Sequence, residues 1–419
     1  MNNKPKILYI NGSFLNDNGA AVIAKNTEEL FQKKGFETAL FTVKGYYYDN
    51  YKYSKYFAEP NNHPKNIINI LKWYYNWDSA KKIKQLIREF QPNIIHVHSL
   101  RTSGLTYSVL EPCIKNRIPI VMTLHDCFLI CPIMTLVKGS GELCEKALCK
   151  GFNKFYCTIN NCSVSNIKRA NFTLALFSFI NKFTGYDKHI VKFITPSDAL
   201  RNLMIENNND ITPDKIITIN NFLSDEEFGN IQPNYENKGY FLYIGRLSHE
   251  KGVQYLLEAI KDLPRDIEFH IVGKGPEEDK LKEYAEENHL DNVKFLGHKS
   301  REEIKEEYQN CISTILPCNW FEIFGMTNVE SFINGKPVIA SNIGGIPEIV
   351  ENDINGLLFE PANVKQLKEC ILKYWNNPDL VIQHGKNGYE KAKIQYSEER
   401  YYNELVNLYN DVLEKRKND

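Results

Sequence analysis

The sequence predicts an α/β protein of two doubly wound, Rossmann-like domains, each with a parallel sheet covered by helices. Short apolar strands alternate with helical patterns along most of the chain, which is typical of parallel sheets with right-handed crossovers. The alternation restarts near residue 240, and a chain of 419 residues exceeds one ordinary core. Because such sheets bind ligands at the carboxyl ends of their strands, we expect a ligand site in a central cleft that both domains face.

The first half contains four predicted strands. After the first of them, Ile23, Thr27, Leu30 and Phe31 recur at helical spacing, and Gly35 is suited to end the helix. Further helical patterns occupy 78–90 and 103–116. The strands are predicted at 6–12, 38–43, 93–99 and 119–126.

The second half repeats this organisation. Its strands are predicted at 240–246, 267–276, 293–298, 312–318 and 336–341. The predicted parts of the chain are a first domain (1–220), an Asn-rich linker (221–239), a second domain (240–395) and a terminal helix (396–419). Tyr402, Leu405, Leu408 and Val412 form one apolar side of that helix, which we expect to pack across to the first domain.

Charge and hydropathy exclude some classes of protein. The 51 basic and 52 acidic residues give a net charge of −1, so no global field attracts nucleic acid. The sequence shows no signal peptide, and its apolar run at 172–180 is far shorter than the ~20 residues that span a bilayer. We therefore expect a cytoplasmic protein.

Basic residues and glycines follow the strands of the second half. Arg246 comes directly after a strand, and Lys251 precedes the next helix. Two cations beside free helix N–H groups suit a diphosphate, although solvated surface cations would give the same pattern. Gly273 lies in a second turn of this kind, in VGKGP, which alone is a weak signal.

Two acids in the stretch CNWFEIFGMTNVESF (318–332) point to a polyol ligand. Glu322 is predicted in a loop and Glu330 about two turns into a helix that begins near Gly325. A carboxylate offers two acceptor oxygens, so the loop acid suits sugar hydroxyls and the helix acid suits a vicinal diol such as ribose. The backbone N–H groups of Phe324, Gly325 and Met326 are expected to point into the cleft.

In their order along the chain, these motifs resemble the family-four retaining glycosyltransferases of the GT-B fold. The resemblance covers nearly the whole chain and is strongest over 240–360. It depends on the ordered set GRLSHEKG, VGKGP, FEIFGMTNVE, GKPVIASNIGGIPEIV and NGLLFEP.

The resemblance implies that residues 1–220 form the acceptor-side domain and residues 240–395 the nucleotide-sugar donor domain, and it implies a role for each candidate residue. It implies that Glu322 contacts the donor sugar and that His125, in TLHD, faces the reaction centre from the first domain. A histidine with a purely structural role, hydrogen-bonded at the end of a strand, would give the same sequence pattern at His125. His96 and His98 are expected to stabilise the preceding strand. The donor-binding set that it implies is Arg246, Lys251, Gly273, Phe324, Gly325, Met326, Thr327 and Glu330, with Gly12 and Gly19 in an acceptor-side loop.

This first loop departs from the family pattern, because Ala20 rather than a second glycine follows Gly19. Acceptor-side details therefore transfer less safely than the donor-side ones.

The implied reaction moves a sugar from a UDP- or GDP-sugar to a hydroxyl of a glycan or lipid-linked glycan, in surface polysaccharide or lipopolysaccharide synthesis. The chain has no Asp-x-Asp sequence, and its basic pair can stabilise a leaving diphosphate without a metal cofactor. Retention is implied, and a front-face route fits because no carboxylate is placed as a nucleophile.

Two other functions stay open. A sugar-nucleotide epimerase of the same fold would convert the donor without an acceptor. A non-catalytic sugar-binding protein would be expected to carry a secretion signal and would not need the basic pair. A nicotinamide dehydrogenase is disfavoured, because neither half opens with a complete G-x-G-x-x-G.

Six of the ten cysteines fall between Cys127 and Cys162, within an insertion predicted at 127–165. The pairs Cys144-x4-Cys149 and Cys157-x4-Cys162 suit a structural zinc site, with spacers at the long end of the usual range. Reduced thiols in a packed insertion and disulfides are the alternatives, and a cytosolic location disfavours the latter.

The segment 168–183 mixes apolar residues with flanking Lys and Arg. Core packing is the favoured interpretation, and contact with an anionic membrane surface, peripheral on the inner face, is the alternative.

Overall fold

The chain forms two compact units in a computed structural model. One unit comprises Met1–Asn220 with Tyr401–Asp419, and the other comprises Asn221–Arg400. The structure describes residues 4–14, 19–45, 47, 51–59, 71–72, 74–100, 105–138, 142–144, 149, 153–160, 162, 168–229, 231–236 and 238–418.

The first unit is built on a six-stranded parallel sheet with the order β2-β1-β3-β4-β5-β6. Every residue of β1, β3 and β4 is buried, as expected for parallel strands covered on both faces. The strands are β1 (Ile7–Ile10), β2 (Thr38–Phe41), β3 (Ile94–Val97), β4 (Ile120–Thr123), β5 (Ile190–Thr195) and β6 (Ile216–Thr218).

Local sequence explains the helices of this unit. In α2 (Trp77–Phe90) the side chain of Asn76 accepts a hydrogen bond from Ser79 N at 3.1 Å, which caps the first turn. The apolar side chains of Ile83, Ile87 and Phe90 recur on its buried face. The helices are α1 (Gly19–Lys33), α2 (Trp77–Phe90), α3 (Leu110–Lys115), α4 (Tyr156–Ile159), α5 (Lys168–Thr184) and α6 (Asp198–Asn207).

One of the predicted helices differs in detail. The pattern at 103–116 is a short 3-10 turn, Tyr107–Val109, followed by α3, and residues 103 and 104 lie outside the described residues. Pro112 lies within α3 itself, where its missing N–H limits the length of a regular helix. Helix α5 buries Ala175 and Phe177.

The second unit has another parallel sheet of six strands, in the order β12-β11-β10-β7-β8-β9. This is the order of a doubly wound dinucleotide-binding fold, read from one edge to the other. Its strands are β7 (Tyr240–Ile244), β8 (Glu268–Val272), β9 (Val293–Gly297), β10 (Ser313–Leu316), β11 (Val338–Ser341) and β12 (Gly356–Phe359). The predicted fold class of two doubly wound parallel sheets is confirmed.

Helices cover this sheet and enclose apolar cores with it. The predicted linker contains α7 (Asp225–Phe228), and Leu223 and Ile231 of the linker are buried against Phe324 and Val329. The helices are α7 (Asp225–Phe228), α8 (Val253–Ile260), α9 (Glu278–Glu287), α10 (Arg301–Asn310), α11 (Met326–Ile333), α12 (Ile346–Ile349), α13 (Val364–Trp375) and α14 (Pro378–Gln395).

The last helix, α15 (Glu398–Asn418), belongs to the first unit from Tyr401 onward. Within that unit the Tyr401 hydroxyl lies 3.0 Å from Thr27 Oγ1 of α1. The Tyr409 hydroxyl lies 2.6 Å from Nδ1 of His96 in β3. Helix α15 is thereby fixed to both the sheet and the helix layer of the first unit.

Candidate functional site

The strand order of the second unit creates a crevice beside β7 and β10. From β7 the chain continues to β8 and β9 on one side, whereas β10 continues to β11 and β12 on the other. The loops that leave the carboxyl ends of these two neighbouring strands therefore diverge, and ligands bind at such a switch point. One loop carries Arg246 and Lys251, and the other carries Glu322.

A cation and a carboxylate from these two loops form an ion pair. Lys251 Nζ lies 2.7 Å from Oε2 of Glu322, and the Trp320 indole N–H donates to the same oxygen at 3.0 Å. The ammonium also lies 4.9 Å from the centre of the Trp320 ring. Burial acts to lower the pKa of Lys251, but the charge and hydrogen bond of Glu322, together with the neighbouring Cys318 and Glu250, outweigh it and raise this pKa above its usual value. Lys251 is therefore a permanently charged group at the crevice.

Backbone packing holds the two loops together. Gly252 has φ +76°, and a Cβ there would lie 1.8 Å from the carbonyl oxygen of Pro317. Gly344, after β11, has φ +60° and would place a Cβ 2.2 Å from Glu322 O, which also accepts from Gly345 N at 2.8 Å. Only glycine permits this approach. The backbone of Glu322 is thus held in place by its contacts with Gly344 and Gly345.

The second acid of the motif has a different partner. Glu330 lies in α11, whose N-cap is Gly325 at φ +91°, so the helix begins where the sequence predicts. The Tyr308 hydroxyl, itself buried on α10, donates to Glu330 Oε2 at 2.8 Å. Burial raises the pKa of Glu330, while the Tyr308 hydrogen bond and the charge of Arg301 act to lower it. Glu330 is therefore an oriented acceptor in a poorly solvated position.

Arg246 and Gly273 lie at the ends of β7 and β8. The Arg246 side chain is exposed and forms no ion pair within the described residues, while its carbonyl accepts from the Tyr243 hydroxyl at 2.9 Å. Gly273 has φ +137°, and a Cβ there would lie 1.8 Å from Gly245 O. The turn after β8 therefore packs directly on the loop that carries Arg246.

The other donor-side candidates surround the first turn of α11. Phe324 is buried, and Gly325, Met326 and Thr327 are partly buried. The first N–H groups of an α-helix have no partner within the helix, which suits an anion or a sugar oxygen. Their contact with a donor remains a prediction.

The candidates of the first unit lie after β1 and β4. His125 is partly buried, its Nε2 lies 3.0 Å from Nδ1 of His98, and burial lowers its pKa to about 4. Gly12 O accepts from the Thr42 hydroxyl at 3.1 Å. Gly19 is the first residue of α1, and the loop residues 15–18 lie outside the described residues.

Sequence reasoning missed three side chains that touch the candidate residues: Trp320, Tyr308 and His98. Trp320 lies two positions before Glu322, so its contact with Glu322 could have been predicted from the sequence. Tyr308 is far from Glu330 in sequence and could only be found in the fold. The spacing His96-x-His98 at a strand end was visible, but it indicated only a role in stabilising the strand.

The insertion contains buried thiols. Cys144, Cys149, Cys157 and Cys162 are all buried, and a hydrogen bond from Cys149 lowers the pKa of Cys157 below its usual value. Over the part of the chain that the structure covers, no group of three or more His, Cys, Asp or Glu side chains is arranged to hold a metal ion. Structural zinc therefore stays a prediction.

None of the helices in the described ranges is both long enough and apolar enough to span a bilayer.

Known proteins resemble this chain over both units. The sequence profile described as Glycosyltransferase Family 4 matches residues 17–227, and the one described as Glycosyl transferases group 1 matches residues 224–391. An uncharacterized glycosyltransferase of Methanocaldococcus jannaschii is 31% identical over 75% of this chain and 75% of its own length. The O-antigen chain mannosyltransferase C of Escherichia coli is 28% identical over 42% of this chain and 48% of its own length.

The similarity extends to a solved structure, the HepE protein of Anabaena in complex with UDP-glucose. It superposes with a TM-score of 0.66 at 18% sequence identity, and the match covers 97% of this chain and 100% of that one. A likeness at this identity is evidence for the fold.

Proposed function

The chain belongs to glycosyltransferase family 4 and has the two-sheet GT-B fold, and from that premise we propose a specific reaction. The protein moves a sugar from a nucleoside diphosphate sugar to a hydroxyl of a glycan or lipid-linked glycan, with retention at the anomeric carbon. The observation that carries this proposal is the cluster of Lys251, Glu322 and Trp320 at the switch point of the second sheet.

The donor diphosphate is neutralised by Arg246 and Lys251. Two positive charges stabilise the negative charge that grows on the diphosphate as the bond to the anomeric carbon breaks. Arg246 is exposed and forms no ion pair among the described residues, so its guanidinium is available to a phosphate. We propose that this pair replaces a divalent metal cofactor.

The ribose is held by Glu330. The Tyr308 hydroxyl occupies one lone pair of its carboxylate and fixes its orientation. A carboxylate has about four acceptor sites, so it can still receive both hydroxyls of a vicinal diol. Of the two predicted donor classes, UDP-sugars and GDP-sugars, a UDP-sugar is favoured, because the Anabaena HepE structure contains UDP-glucose.

Transfer proceeds on the front face of the sugar. The bond from the anomeric carbon to the diphosphate breaks, the acceptor oxygen bonds to that carbon from the same side, and its proton passes to the departing diphosphate. Glu322 lies beside the developing positive charge of the sugar and stabilises it. His125 acts at the reaction centre from the first unit.

The acceptor belongs to surface polysaccharide or lipopolysaccharide synthesis in this proposal. This assignment of the acceptor is supported by the Escherichia coli relative, whose name describes an O-antigen chain mannosyltransferase. A peripheral membrane location would follow from a lipid-linked acceptor. Phe172 and Phe183 of α5 are 50% and 84% exposed and offer apolar side chains to a membrane surface.

The test is a donor panel of UDP-, GDP-, ADP- and dTDP-sugars, incubated with and without a lipid-linked acceptor. Slow hydrolysis of one donor alone, and faster transfer with acceptor, is expected. The variant Lys251→Ala should lose both activities, whereas the matched control Lys280→Ala, an exposed lysine of α9, should keep them. Conversion of the donor into an epimer without acceptor would contradict the proposal, as would no reaction with any donor.

A further inference from the structure

Three histidines line the carboxyl ends of two neighbouring strands in the first unit. His96 lies in β3, His98 follows it, and His125 lies two residues after β4. The ring centres of His96 and His98 are 4.3 Å apart, and those of His98 and His125 are 5.3 Å apart. Nδ1 of His98 lies 3.0 Å from Nε2 of His125. This is a direct hydrogen bond between two imidazoles.

Burial keeps all three rings neutral at pH 7. It lowers the pKa of His96 to about 3, that of His98 well below its usual value and that of His125 to about 4. A neutral imidazole carries one N–H and one lone pair. One of the two rings in the His98–His125 contact must therefore donate its only proton, and the other must accept.

The surroundings of His98 decide which ring donates. Its other nitrogen, Nε2, is buried and has no hydrogen-bond partner in the described part of the chain. If His98 accepted at Nδ1, its proton would lie on Nε2 as an unpaired N–H. Among backbone groups, a buried N–H without a partner is rarer than an under-satisfied carbonyl acceptor, and the same preference applied to this ring places the proton on Nδ1.

His96 supports this arrangement from behind. Its Nδ1 lies 2.6 Å from the Tyr409 hydroxyl and its Nε2 lies 2.8 Å from Thr123 Oγ1. Both ring nitrogens are occupied, so the ring cannot rotate freely, and it stacks on His98 with an interplanar angle of 29°. The His98 ring is thereby held in the plane from which Nδ1 meets His125.

We infer that His98 is a positioning residue that donates from Nδ1 to Nε2 of His125 and so keeps the His125 proton on Nδ1. His125 then offers a neutral N–H donor to a substrate oxygen, and its only basic nitrogen is already occupied. It therefore does not serve as the general base, which agrees with a proton that passes to the departing diphosphate. The role at the reaction centre rests on the proposed function, whereas the tautomer does not.

The tautomer can be measured directly by nitrogen NMR on the full-length protein labelled at histidine, with His125→Gln used to assign the signals. The inference predicts a protonated Nδ1 and an unprotonated Nε2 for His125 in the unmodified protein. A proton on Nε2 of His125 would overturn it without any need for a further variant.

Two variants of His98 separate hydrogen bonding from packing. The amide of His98→Asn lies near the position of Nδ1 and can still donate to His125, whereas His98→Phe fills the ring volume without a donor. His98→Asn should keep the His125 tautomer, and His98→Phe should lose it. If His98→Phe left the tautomer unchanged, the positioning role would be wrong.

Turnover supplies the functional readout. His98→Phe should lower turnover on the order of tenfold, as for the loss of one orienting hydrogen bond, with donor affinity unchanged, and His98→Asn should recover most of it. If His125 had the predicted tautomer but the protein transferred no sugar to any acceptor, the positioning role would stand and the proposed function would be contradicted. Normal sugar transfer by a protein with the His125 proton on Nε2 would contradict the positioning role and leave the proposed function intact.

Discussion

Lys251 and Glu322 lie 71 residues apart in sequence, yet Nζ of the one lies 2.7 Å from Oε2 of the other. Each comes from a loop at the carboxyl end of one of the two strands that flank the switch point. Removal of one partner would leave the other poorly solvated and unpaired, which is costly in free energy. The pair therefore has a structural effect as well as its proposed catalytic one, and experiments must separate the two.

Glu330 and Tyr308 should act together on donor affinity. Because burial raises the pKa of Glu330, its carboxylate takes up a proton at a higher pH than an ordinary glutamate. Donor binding should therefore weaken as the pH falls through that raised pKa, and this step should be absent in Glu330→Gln. Tyr308→Phe should weaken binding roughly threefold to tenfold, the effect of one hydrogen bond. Calorimetric titration from pH 4 to pH 8 measures both, and a flat pH profile in the unmodified protein would contradict the role.

Gly252 should tolerate no side chain. In Gly252→Ala the new Cβ would meet Pro317 O at 1.8 Å, in addition to the strain of φ +76°. Gly239 is the matched control, because its φ is +89° but a Cβ there would meet nothing within 4 Å. Thermal unfolding should show a loss of about 1 kcal/mol for Gly239→Ala and clearly more for Gly252→Ala. Equal losses would mean that the loop adapts.

Glu28 should make stability depend on pH. Burial raises the pKa of this α1 residue to about 7, although Thr38 and Gln32 donate hydrogen bonds to it. Between pH 4.5 and 7 the folded state then binds more protons at Glu28 than the unfolded state, so its contribution is present at low pH and is lost as the pH rises through about 7. The free energy of unfolding should fall by up to about 3 kcal/mol across this window.

The variant Glu28→Gln should remove most of this slope. Glu37→Gln, an exposed acid of the same unit, should leave it unchanged. Denaturant unfolding at pH 5 and pH 8 measures the difference, and the same slope in all three proteins would show that Glu28 is not its source.

The cysteine insertion should reveal its state by metal analysis. If Cys144, Cys149, Cys157 and Cys162 bind zinc, the purified protein should contain about one metal per chain. Cys157→Ser should then lower stability more than it lowers the turnover of the folded enzyme. A fully active, metal-free preparation would contradict the zinc prediction and favour reduced thiols.

Much of the fold follows from local sequence. The strands β7 to β11 could be predicted because each is an apolar run typical of a buried parallel strand, and several of these runs are followed by glycine-containing turns. Strands β5, β6 and β12 were not predicted. In β5 and β6 the side chains of Val191 and Ile217 are exposed and Lys192 interrupts the apolar run, so the pattern of a buried strand is weak.

The site was predicted less completely than the fold. Glu322 and Glu330 were visible because acids are rare in an apolar stretch. Their partners Lys251 and Tyr308 are set by which strands and helices lie side by side, and local patterns do not contain that information. The contact of His98 with His125 depends on the register of β3 and β4 in the same way.

Glu322→Gln and Glu330→Ala together test the central claim, that the crevice beside β7 and β10 binds and activates a sugar nucleotide. Donor binding by calorimetry and turnover at saturating donor are measured on both variants, with Glu286→Gln, an exposed acid of α9, as control. Glu330 binds a part of the donor that does not change, so Glu330→Ala should weaken binding roughly tenfold or more with turnover nearly kept. Glu322 acts on developing charge, so Glu322→Gln should lower turnover more than affinity. If neither variant changed either quantity, the crevice would not be the donor site.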